Sequence, residues 1–92
     1  MTLLTDEQIA AGLAGLPGWN RAGSAITRTV KLGDFRDAML YAGAVAHLAQ
    51  AANHHPDIAI SWNTVTLTLS THSAGGLTDA DLALARQLSS LP

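Results

Sequence analysis

Asn53-His54-His55-Pro56-Asp57-Ile58-Ala59-Ile60-Ser61-Trp62-Asn63-Thr64-Val65-Thr66-Leu67-Thr68-Leu69-Ser70-Thr71-His72 is the stretch that decides the fold. Ile58, Ile60 and Trp62 alternate with smaller residues, as in a half-buried strand. Asn63-Thr64 reads as a tight turn. Beyond it Val65, Leu67, Leu69 and Thr71 form one face of a second strand, and Thr66, Thr68, Ser70 and His72 form the other. Two such strands joined by a two-residue turn make an antiparallel hairpin. In that hairpin position 56 lies near position 71, so His54 and His55 meet His72 at its open end. Pro56 keeps His55 out of the helical region, so a helix arriving from upstream must stop within Asn53–Pro56.

That helix is the longest element. Asp34 is placed to cap it and Asp37 falls in its first turn, where negative charge is favoured. Phe35, Ala38, Met39, Ala42, Val45, Ala46 and Ala49 recur at intervals of three and four, an apolar stripe expected to face a sheet or core. Further upstream, Thr5-Asp6-Glu7-Gln8 reads as a capping box. Ile9, Leu13 and Leu16 follow at helical spacing until Leu16-Pro17-Gly18 stops the helix. Trp19-Asn20-Arg21 reads as a short strand, Ala22-Gly23-Ser24 as its turn, and Ala25 to Leu32 as the next strand, with Ile26, Val30 and Leu32 on one face. Arg28 shares that face and should lie near an edge or find a partner. Downstream, Ser73-Ala74-Gly75-Gly76 is a loop. Thr78-Asp79-Ala80-Asp81 opens the last helix with a second capping box, across which Leu77 can staple onto Leu82, and Leu84, Leu88 and Leu91 continue its apolar side.

The order is α-β-β-α-β-β-α, which predicts an α+β fold: a four-stranded antiparallel sheet with three helices packed on one face. At 92 residues the chain fits one domain over 1–92. A chain this short buries only about 60–65% of its unfolded surface. Its apolar fraction is 48%, much of it alanine, and only 13% of residues are charged. A weakly charged surface and a sheet with open edges favour self-association, as a homodimer or homotetramer.

Composition removes several functions. A net charge of −2 without a basic stripe argues against direct nucleic-acid binding. With no cysteine there is no disulfide framework, thiolate nucleophile or zinc finger. Met1-Thr2-Leu3-Leu4-Thr5-Asp6 lacks the basic and apolar regions of a signal peptide, and no apolar run approaches the ~20 residues of a membrane span. A cytoplasmic protein is expected.

The chemistry is expected at the histidines. Imidazole has an unperturbed pKa of about 6.5, so one ring can take a proton while another donates one to a leaving hydroxyl. No Ser-His-Asp set and no phosphate-binding glycine loop is legible. His54 and His55 could simply favour a helix C-terminus. Three histidines can also bind zinc, yet adjacent histidines usually point apart, and no carboxylate or cysteine completes a familiar spacing. His47 reads as surface, Trp62 as core or rim packing, Asp81 as the capping-box residue of its helix, and Asp57 as a charge at a strand entry.

The whole pattern resembles the pterin-4a-carbinolamine dehydratase family. The resemblance rests on Asn53-His54-His55-Pro56, Trp62, His72 and Asp81, with Leu67–His72, Gly76-Leu77-Thr78, Leu16-Pro17-Gly18-Trp19 and Asp34-Phe35-Arg36 around them. It implies dehydration of a 4a-hydroxytetrahydropterin, released by aromatic amino-acid hydroxylases, to the quinonoid dihydropterin, with no metal or organic cofactor. It also implies His54, His55 and His72 as acid–base residues, with Asn53, Ser70, Thr71 and Ser73 bordering the pterin. Where family members commonly carry an acidic residue followed by Lys, this chain has Gln50-Ala51. Gln50 lies one turn before His54 and can hydrogen-bond the pterin or an imidazole, but cannot serve as a carboxylate base. Ile58 and Ala59 replace a frequent aromatic, which opens the pocket rim. Relatives of this fold also serve as dimerisation partners of a transcription factor or as assembly factors, and a role in molybdopterin metabolism is a further alternative.

Overall fold

The computed structural model describes residues 2–91. Its elements are helix α1 (Asp6–Ala14), strands β1 (Trp19–Ala22) and β2 (Ala25–Lys31), helix α2 (Phe35–Ala52), strands β3 (Asp57–Ser61) and β4 (Thr64–Leu69), a 3-10 turn (His72–Ala74) and helix α3 (Asp79–Ser89). The strands form one antiparallel sheet in the order β1-β2-β4-β3. The expected α+β order of elements is found.

Strand alternation separates two faces. Ile26, Val65, Leu67 and Leu69 are buried beneath the helices, while Thr27, Thr64, Thr66 and Thr68 alternate with them. The helices add Ile9 from α1, Ala38, Tyr41, Val45 and Ala49 from α2, and Leu82, Leu84, Ala85 and Leu88 from α3. α2 therefore buries a narrower stripe than its periodicity predicts. Ala38, Val45 and Ala49 lie inside as expected, and Tyr41 joins them, whereas Phe35, Met39 and Ala46 are exposed. Ala38, Tyr41, Val45 and Ala49 track the helix–sheet contact line, and Phe35 and Met39 fall outside it.

Boundaries move for local reasons. α1 ends at Ala14, with Gly15 as its C-cap. β1 runs one residue further than expected, so its hairpin turn is Gly23-Ser24. The second hairpin turns at Trp62-Asn63, since Ser61 pairs with Thr64. Asn63 cannot lead the turn because it clasps the end of β2: its Nδ2 donates to the Leu32 carbonyl at 3.0 Å, and its carbonyl accepts from the Leu32 N–H at 2.7 Å. Trp62 takes the leading place with φ 55, at the exposed hairpin tip rather than in core or rim packing. Strand β4 stops at Leu69. Thr71 then makes an isolated bridge to Gly76, and His72 opens the 3-10 turn rather than ending a strand.

Gly12 lies against α3, where a Cβ would come 2.5 Å from Leu82 Cδ1. Gly12→Ala gains about 1 kcal/mol of helix propensity but overpacks a core contact, which costs about 1–3 kcal/mol. A net loss of about 1 kcal/mol is expected in urea unfolding.

Arg28 departs from expectation. β2 is an interior strand, so Arg28 does not lie at an edge, and its Nη1 is buried without a partner among the described residues. The Tyr41 hydroxyl is likewise buried and unpartnered. Burial pushes the Tyr41 phenol above its usual range, partly opposed by the Arg28 guanidinium. The unfolded chain ionises this phenol first, so the associated stability is intact below about pH 10 and erodes as pH rises through the folded value. Tyr41→Phe removes that alkaline loss. Having lost no hydrogen bond, the variant should match or exceed the parent by up to about 1 kcal/mol near neutrality. Urea midpoints at about pH 7 and pH 11 check both limbs.

Candidate active site

The end of α2 is built by a left-handed residue. Asn53 adopts φ 50, ψ 41, a conformation asparagine tolerates better than most side chains. The His54 N–H then returns to the Ala49 carbonyl at 3.1 Å, closing the helix in the manner of a Schellman motif. With Pro56 two residues on, His54 and His55 leave a fixed corner in different directions.

The hairpin register brings this corner to the 3-10 turn. Asp57 pairs with Thr68, so the ladder is shifted by two residues from the expected neighbourhood of 56 and 71. The turn at Trp62-Asn63 is the cause. The same count carried past the ladder sets His54 opposite Thr71, one residue before His72. Asn53, His54, His55, Ser70, Thr71, His72 and Ser73 line one cavity of about 220 Å³. Gln50 stands outside that lining, behind His55.

Each histidine has its own setting. His54 is largely buried, and its Nε2 lies 2.6 Å from Asp81 Oδ1. A carboxylate only accepts, so His54 Nε2 carries the hydrogen and Nδ1 is the ring nitrogen left over. His55 is exposed, with Nε2 2.9 Å from Gln50 Oε1. Gln50 thus holds an imidazole through a neutral amide. His72 is exposed and makes no side-chain hydrogen bond among the described residues. The His72 ring is therefore open to solvent at the cavity.

Two expected lining residues use their hydroxyls elsewhere. Ser70 Oγ donates to the Ser24 carbonyl at 2.8 Å, tying β4 to the β1–β2 turn. Thr71 Oγ1 donates to Asp81 Oδ2 at 2.8 Å, so that hydroxyl faces the protein interior. Ser73 is exposed beside His72. His47 is exposed on α2, and Asp57 is an exposed charge at the start of β3.

Asp81 is the residue that sequence reasoning undervalued. It does occupy the third position of the α3 capping box, accepting from the Thr78 N–H at 2.9 Å. It is also fully buried and holds His54. A signal existed in Thr71, placed on the same strand face as Val65, Leu67 and Leu69. A buried hydroxyl requires a partner, and the nearest capping carboxylate downstream is Asp81.

The comparisons with known proteins bear on this cavity. The family model described as Pterin 4 alpha carbinolamine dehydratase matches residues 2–91. The chain belongs to the pterin-4a-carbinolamine dehydratase family. Among its relatives, a Nocardia farcinica protein is 56% identical over 97% of this chain and 94% of its own length. One from Thermomicrobium roseum is 50% identical over 99% and 98%. Both bear the name "Putative pterin-4-alpha-carbinolamine dehydratase". The crystal structure of a transcriptional coactivator/pterin dehydratase from Brucella melitensis superposes with a TM-score of 0.89 at 35% identity, covering 95% of each chain. A pterin dehydratase-like protein identified as a RuBisCO assembly factor in the alpha-carboxysome shares the fold, with a TM-score of 0.65 at 21% identity over 78% of this chain and 86% of its own. Family membership and these relatives support a pterin carbinolamine dehydratase activity. Among the described residues no group of three or more His, Cys, Asp or Glu side chains could hold a metal ion, and no helix is long and apolar enough to cross a membrane.

Proposed function

We propose that the chain dehydrates a 4a-hydroxytetrahydropterin to the quinonoid dihydropterin in tetrahydropterin recycling, by acid–base catalysis at His54, His55 and His72. The observation that carries this reading is the presence of three imidazoles on one small cavity beside a polar rim. A volume of about 220 Å³ lies below the ~300–1,000 Å³ typical of drug-sized ligands and suits a compact heterocycle. In the reaction one imidazole takes the proton from the ring nitrogen, and another, charged, protonates the 4a-hydroxyl as it leaves as water. Atoms balance without an oxidant or added group, and neither a metal nor an organic cofactor has a role. Asn53, Ser70, Thr71 and Ser73 border the pterin, and Gln50 holds His55.

The test is a stopped-flow assay in which a carbinolamine is generated by an aromatic amino-acid hydroxylase and its decay is followed with and without the purified protein. Acceleration by the parent chain and its loss in the His55→Ala/His72→Ala double variant are expected. A double variant as fast as the parent overturns the assignment.

Self-association belongs to the same proposal. Phe35, Met39 and Leu40 expose about half or more of their surface on α2, which suits a homodimer or homotetramer in the cytoplasm. The Brucella relative, described as both coactivator and dehydratase, favours a second reading in which the fold also serves as an interaction module. A pterin titration compared with partner capture on the same preparation separates the two.

A further inference from the structure

Thr71 gathers more bonds than any lining role requires. Its backbone N–H donates to Gly76 O at 2.9 Å, and its carbonyl accepts from Ala74 and Gly75 at 3.0 Å and from Gly76 at 3.3 Å. These bonds hold the turn that presents His72 and Ser73. Its side chain does something separate. Thr71 Oγ1 donates to Asp81 Oδ2 at 2.8 Å and lies 2.8 Å from Thr78 Oγ1. The carboxylate can only accept, so the one Thr71 hydroxyl hydrogen points to Asp81, and Thr78 must donate to Thr71. The order of donors is therefore fixed: Thr78 to Thr71, Thr71 to Asp81, His54 to Asp81. All three supporting residues are buried, with Asp81 wholly so.

We infer that Thr71 is a positioning residue whose buried hydroxyl, through Asp81, fixes the tautomer and orientation of His54 while its backbone fixes the turn bearing His72. The two sides of the cavity are thereby set by one residue. The inference rests on the reading of His54 and His72 as acid–base groups, but its physical content is the lock on His54. Without the Thr71 donor, Oδ2 keeps the Thr78 N–H among the described residues, and the carboxylate is less firmly held against the imidazole. The ring then samples both tautomers and loses its fixed aim into the cavity.

The experiment compares Thr71→Val, which keeps shape and removes the hydroxyl, with Thr71→Ser, which restores it. The readouts are the His54 Nε2–H resonance and the dehydration kinetics. The parent chain should show a downfield His54 imidazole proton, assigned by its loss in His54→Gln, that exchanges with water more slowly than that of His55. Thr71→Val should shift that resonance, speed its exchange and lower kcat about 10-fold, with KM changed less than about twofold. Thr71→Ser should recover both. Should Thr71→Val fail to fold, Thr71→Ala removes the same hydroxyl and carries the same expected outcomes. Equal exchange of the His54 and His55 protons, or a Thr71→Val protein with parental resonance and kcat, overturns the inference. A parent chain that leaves carbinolamine untouched overturns the proposed reaction instead, and the resonance measurement stands apart from that result.

Discussion

His72→Ala is expected to lower carbinolamine dehydration by about 10²–10⁴-fold while moving stability by no more than about 0.5 kcal/mol. The asymmetry follows from where the ring sits. His72 is exposed and makes no side-chain hydrogen bond among the described residues, so its removal opens no core cavity and strands no buried group. The turn it opens is held by Thr71 and Gly76 backbone groups rather than by the imidazole. What disappears is a group able to change protonation at the cavity mouth. Single-turnover dehydration alongside a urea titration reads both quantities on one preparation. His55→Ala should behave alike, since that ring is also exposed and its one partner, Gln50, is solvated. A large stability loss in either variant would mean the rings are structural and would break the assignment.

Asp81→Ala should do the reverse and strike the fold first. It leaves His54 Nε2, Thr71 Oγ1 and the Thr78 N–H without their acceptor in a buried place. Breaking such a buried, charge-assisted set costs about 3–5 kcal/mol, a large share of the ~5–15 kcal/mol that holds a small domain together. For a chain of this length the melting temperature should drop by about 15–25 °C. Asp81→Asn keeps the volume and one acceptor oxygen, but sets an NH₂ against one of the donors. It should lose less stability and still lose dehydration, because His54 can then reverse its tautomer. Calorimetry and the stopped-flow assay on both variants separate the packing contribution from the catalytic one.

Much of this was legible in the chain because each local signal agreed with the fold. Alternation in Val65, Leu67 and Leu69, the capping residues Thr5, Asp34 and Thr78, and the proline after His55 each specify one backbone state. The structure then assembles those states in the expected order. The cavity residues emerged for the same reason, since antiparallel pairing leaves the open end of a hairpin little freedom. What escaped were features settled by distant parts of the chain. The exposed position of Trp62 depends on Asn63 clasping Leu32, a contact between residues 31 apart in sequence. The burial of Tyr41 in place of Met39 depends on how α2 rolls on the sheet, which periodicity in an alanine-rich helix constrains weakly. The second duty of Asp81 depends on α3 docking beside His54, and a capping box read alone gives no sign of it.

The strand order has a kinetic consequence for the site. β4 has a neighbour on each side, whereas β1 and β3 each have one. When such a sheet breathes, its outer ribbons open first and the flanked strand last. The cavity floor descends directly from that flanked strand through Ser70 and Thr71. Amide exchange should therefore find Leu67 and Leu69 among the slowest protons, immediately beside the cavity mouth formed by the ends of the chain segments that flank them.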